Sequence, residues 1–132
     1  MDLLDRVVIA VRRELFPAPQ RPWVFYLIND RDTPIDNARL EEVGYEWGDY
    51  SSERRVEREI GHLGPRSYRR IWRDNSDAAE VNTWIVLSLV IGGATHWLMY
   101  EFPKLYRRRG LVAIPLVGGR GVVCRGETCA AR

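Results

Sequence analysis

TWIVLSLVIGGATHWLMYEF, residues 83–102, is the most apolar stretch of the 132-residue chain, and the fold turns on how it is read. Its length approaches the ~20 residues of a membrane-spanning helix. Arg107, Arg108 and Arg109 follow it, as a cytoplasmic flank would. Three features oppose a continuous span: Gly92-Gly93 divides it, His96 lies inside it and Glu101 sits at its end. Two strands account for all three. Residues 81–90 are dense in β-branched side chains and apolar on both faces, like a central strand. Gly92-Gly93 supplies a turn in which positive φ costs little. Residues 94–102 return as an aromatic-rich partner, stopped by Pro103. The reading is a β-hairpin, preferred over a buried helix ending at the glycine pair and over a membrane span.

Working outward towards the C-terminus, Leu111-Val-Ala-Ile-Pro-Leu-Val117, Gly118-Gly119 and Gly121-Val-Val-Cys124 read as a second hairpin, with strands near 111–117 and 121–125. Pro115 cannot donate to a ladder, which places its strand at an edge or at a bulge. Upstream, residues 67–73 alternate partly and read as a strand. Trp23-Val-Phe-Tyr-Leu-Ile28, after Pro22, reads as a strand near 22–28 buried on both faces.

Three segments read as helices. Leu4, Val7, Val8, Val11 and Leu15 recur at helical spacing, with acids first and arginines last, so a helix is expected over 2–15, stopped by Pro17 and Pro19. Thr33-Pro34-Ile35-Asp36 resembles a capping box and predicts a helix over 34–43, closed by Gly44. Val56, Ile60 and Leu63 fit one helical face behind a solvated charged run, which predicts a helix near 52–62. The expected architecture is therefore one α+β domain over 1–132, with an antiparallel sheet mainly from the C-terminal half packed against N-terminal helices.

Composition agrees with a water-soluble globular chain: 45% apolar and 29% charged residues. Asp2 and Asp5 at the start do not fit a secretory leader. The expected location is cytoplasmic, or assembled inside a host cell. Lys104 is the sole lysine among 20 Lys plus Arg. Guanidinium pairs with phosphate or carboxylate through two parallel hydrogen bonds. Residues 1–62 hold thirteen acids and nine bases, whereas residues 63–132 hold five acids and eleven bases. Such polarity marks a nucleic-acid face or a head-to-tail contact between copies.

Catalytic and metal signals are weak. His62 and His96 lie far apart, and Cys124 and Cys129 form a lone C-x₄-C, so no zinc site is expected. The two cysteines read as reduced thiols rather than a disulfide. Asp30, Asp32 and Asp36 form an acidic cluster better used by a turn and a helix N-terminus than by a cation. Gly118-Gly119-Arg120-Gly121 precedes a strand rather than a helix, so it reads as a turn and not a phosphate loop. No cofactor is expected. Two basic-aromatic clusters stand out: Arg66, Tyr68, Arg69, Arg70, Trp72 and Arg73, then Lys104, Tyr106, Arg107, Arg108 and Arg109. Arginine binds phosphate and aromatic rings stack on unpaired bases, which makes nucleic-acid binding the alternative function. The leading expectation is a non-catalytic binding or assembly protein, of the kind found among small viral or phage components. It would pair with copies of itself or with another protein through an edge at 111–125.

Overall fold

The structure, a computed structural model, describes residues 3–13, 23–45, 54–74, 82–102 and 111–128. These residues form a short 3₁₀ turn at Leu3–Arg6 and ten strands: β1 Val7–Arg13, β2 Trp23–Asn29, β3 Ile35–Tyr45, β4 Arg54–Leu63, β5 Ser67–Asp74, β6 Asn82–Ile91, β7 Ala94–Phe102, β8 Val112–Ala113, β9 Arg120–Arg125 and β10 Glu127–Thr128. They make two five-stranded antiparallel sheets, ordered β5-β2-β1-β9-β8 and β10-β7-β6-β3-β4. No α-helix occurs among the described residues. The α+β expectation is thereby overturned: the described chain is almost wholly β.

The helix expected over 2–15 is strand β1, at the centre of the first sheet between β2 and β9. Val7, Ile9 and Val11 enter the core between the sheets. Val8 and Ala10 point the other way, into a second cluster with Ile28 and Ile114. A strand covered on both sides buries all five residues, and each Val or Ile so buried stabilises by about 1.5–3 kcal/mol. A helix could bury one stripe only.

The helices expected over 34–43 and 52–62 are β3 and β4, paired with each other, and β3 also pairs with β6. Two bulges explain the misleading spacing. Asp36 and Asn37 together face one residue of β4, with Asn37 at φ 49°. Ile60 is the extra residue on β4, beside Gly61 at φ 79°. Each bulge adds a residue and flips the alternation. Ile35 and Ala38 therefore both reach the core, as do Ile60 and Leu63. Two inward residues three apart imitate a helical face.

The central hairpin forms as read from the sequence. β6 and β7 pair from Thr83↔Phe102 to Ile91↔Ala94, closed by Gly92 and Gly93 at φ 58° and 82°. Positive φ at both turn residues matches the strand twist, and glycine adopts it without a Cβ clash. No helix of the described residues is long and apolar enough to cross a membrane.

The strand expected over 111–117 is much shorter. Only Val112–Ala113 pair, as β8 against β9. Beyond them the chain folds into a tight loop, with Val117 N–H donating to the Pro115 carbonyl (2.6 Å) and Gly118 N–H to the Ile114 carbonyl (3.3 Å). Pro115 has no N–H to extend the ladder. The loop instead lays Ile114 and Val117 over Val8, Ala10 and Ile28 on the outer face of the first sheet.

The sheets are tied at both sides. Gly126 carries the chain from β9 into β10 and so from one sheet to the other. A Cβ there would lie 2.8 Å from the Tyr100 ring. Tyr100, fully buried on β7, donates its hydroxyl to the Val7 carbonyl on β1 at 2.6 Å. Burial, with a lesser contribution from Cys124, pushes this phenol well above its ordinary range. Because the folded value lies above the unfolded one, the stabilisation is complete below the ordinary phenol pKa of about 10. It is lost progressively as pH climbs past that value. In a spectrophotometric titration, Tyr100→Phe should leave the phenolate signal of the native protein unchanged near that pH and lower that of the unfolded chain by one tyrosine.

Candidate functional site

The basic residues expected to act together are split by the fold. Arg66 sits in the turn between β4 and β5, where it is bound by the acidic turn after β2. Its Nη1 donates to Asp30 Oδ1 at 2.6 Å, and its Nε and Nη2 donate to Asp32 Oδ1 at 3.1 and 2.9 Å. Those carboxylate bonds hold its guanidinium above its ordinary pKa. Asp36, expected near a helix N-terminus, instead lies 2.6 Å from His62 Nδ1 across the β3–β4 bulge. Among the described residues, no group of three or more His, Cys, Asp or Glu is placed to hold a metal ion.

Arg69 also works within the fold. It donates from β5 to the carbonyls of Ile60 and His62 on β4 and links the two sheet edges. Trp72 and Arg73 lie on β5 opposite Phe25 and Val24, but their side chains are outside the described set. Lys104, Tyr106, Arg107, Arg108 and Arg109 lie outside the described residues altogether, as does Cys129.

Arg70 and Tyr68 remain on the outer face of the first sheet. Tyr68 is opposite Ile28 and Arg70 opposite Tyr26. The Tyr26 and Tyr68 rings meet edge to face, with centroids 5.8 Å apart. The Arg12 guanidinium lies 5.4 Å from the Tyr26 ring centre. Sequence reasoning did not single out Arg12 or Tyr26: one was assigned to a helix end and the other to a strand buried on both faces. The unbroken apolar run Val7–Val11 before Arg12 gave no alternation to mark the outward row.

Cys124 sits where its thiolate is disfavoured. It is a half-buried free thiol on β9, 3.5 Å from the Glu101 carbonyl. Burial raises its pKa, and the charges of Glu101 and Glu127 raise it further against that one hydrogen bond. The reactive species is the thiolate, which this setting disfavours.

The other notable surface is the edge at β8, the last strand of its sheet among the described residues. Leu111, Val112 and Leu116 are 40%, 49% and 44% exposed. Beside them an open groove of about 480 Å³ is lined by Val112, Ala113, Ile114, Pro115, Val123 and Arg125. The β4 edge of the second sheet is guarded. Along β4, Glu57 and Glu59 flank Arg39 of the neighbouring strand in ion pairs of 2.6 and 3.7 Å. Charged edges and bulges of this kind oppose strand addition.

Comparison of the chain with protein-family models, with curated proteins and with solved structures finds no match.

Proposed function

We propose that this protein is a non-catalytic assembly protein that associates with further copies of itself through the β8 edge of its first sheet. The observation that carries this reading is the clustering of Leu111, Val112 and Leu116, three of the four large apolar side chains exposed among the described residues. A soluble surface seldom gathers aliphatic groups beside an apolar groove unless something covers them. A strand at the end of a sheet also offers backbone donors and acceptors for pairing with another strand.

Sedimentation velocity across the micromolar range tests this. The wild-type chain should sediment as oligomers whose population falls with dilution. Val112→Glu combined with Leu116→Glu should shift it to monomer without altering the circular dichroism spectrum. A wild-type protein that stays monomeric at every concentration would contradict the reading, as would a double variant that assembles normally.

A further inference from the structure

We infer that the opposite half of the first sheet, centred on Tyr68 of β5, is a stacking site for single-stranded nucleic acid. The ring at Tyr68 is separate from the β8 edge, although Arg125 of the outer face also lines the groove there. Tyr68 is 47% exposed and is the one aromatic residue among the strongly exposed large apolar side chains described. Its edge-to-face contact with Tyr26 fixes the ring on a rigid strand, so little freedom is lost when a flat ligand stacks on it. A base has a π-face whatever its sequence, which suits such a ring.

Charge specifies the rest of the ligand. Outward register positions of β1, β2, β5 and β9 carry Arg12, Arg70 and Arg125 and no carboxylate. Arg12 and Arg125 donate to the backbone carbonyls of Gly118 and Asp5, which orient each guanidinium without cancelling its charge. The outer side of the second sheet differs: there Arg39 is bracketed by Glu57 and Glu59. Arginines at the described outward positions around an exposed ring attract a polyanion bearing planar groups, and phosphate contacts of this kind make binding fall with salt. A partner protein would more readily meet the mixed charges of the second sheet.

The test is fluorescence anisotropy of a short labelled oligothymidylate with the full chain at low salt. The wild type should bind, and its affinity should fall steadily as salt rises. Tyr68→Ala should weaken binding about tenfold, while Tyr68→Phe should bind as the wild type does. Arg70→Gln should reduce the logarithmic salt slope by about 0.7, the value for one lost single-strand phosphate contact. Arg58→Gln, an equal loss of charge on exposed β4, should have no such effect. The inference is overturned by absence of binding at low salt, by Tyr68→Ala binding as the wild type, by equal losses at Arg58 and Arg70, or by duplex DNA of the same length binding as tightly as the single strand.

Discussion

Gly121→Ala should lower the unfolding free energy by about 3 kcal/mol or more, enough to leave a domain of ordinary stability largely unfolded on mild heating. Gly121 is the second residue of β9, beside β1 with which that strand pairs. A Cβ at this position would stand 2.2 Å from the Val11 carbonyl oxygen and 2.8 Å from Ile114 Cδ1, with Arg12 Cβ at 3.1 Å. The first neighbour is backbone, in the middle of the central strand, and cannot swing aside as a side-chain tip can. Relief requires β9 to move off β1, which loses the pairing of Val11 with Val122 and of Ala10 with Val123. Gly64 is the matched control: an added Cβ there meets nothing nearer than Ser67 Oγ at 3.9 Å. Urea denaturation should show Gly64→Ala within about 1 kcal/mol of the wild type. Equal midpoints for the two alanine variants would show that β9 does not pack on β1 in this way.

Asn29→Ala should cost about 2–4 kcal/mol, because one buried side chain closes the junction between the turn after β2 and the turn after β4. Asn29 is fully buried. Its amide donates to the carbonyls of Thr33 (2.9 Å), Leu63 (3.3 Å) and Gly64 (2.9 Å), and its Oδ1 accepts from Arg31 N–H (3.2 Å). Alanine leaves these backbone groups without that partner, and a buried unsatisfied polar group carries its full desolvation cost. Asn29→Asp should be worse at neutral pH, since the carboxylate oxygen that replaces Nδ2 would face three carbonyl oxygens. Arg66→Ala at the same junction removes exposed pairs and should cost less than about 1 kcal/mol. Thermal unfolding of the three variants orders them, and an Asn29→Ala protein as stable as the Arg66→Ala protein would remove the junction from this account.

The hairpin over 83–102 was legible because two signals of different origin agreed. The glycine pair demands positive φ, and the flanking runs are rich in strand formers. β1 was not legible from periodicity. Val7 to Val11 is apolar at every position, and such a run satisfies a helical stripe as readily as a two-sided strand. What distinguishes them is the company of β2 and β9, and β9 lies more than a hundred residues away. β3 and β4 misled for a different reason, since their bulges place Ile35 with Ala38 and Ile60 with Leu63 at a spacing that alternation alone never produces.

The candidate surfaces were half visible. Sequence located the arginine cluster at 66–73 and the apolar edge segment at 111–117. It could not separate Arg66 and Arg69, which bind the β2 turn and the β4 edge, from Arg70, which takes an outward register position opposite Tyr26. Their partners are Asp30, Asp32, Ile60 and His62, and only a tertiary structure brings these together. The pairing of Tyr26 with Tyr68 likewise depends on the register of β2 and β5.

Both proposed surfaces require β1 to be a strand, since β1 seats β2 with its Tyr26 on one side and β9 with the β8 edge on the other. Backbone nuclear Overhauser effects across β1 in the isotopically labelled chain test this most directly. The account predicts cross-strand contacts linking Ala10 to Tyr26 and to Val123, with slow amide exchange through residues 7–11. Sequential helical contacts between residues three apart over 4–13, with none to residues 122–125, would contradict it.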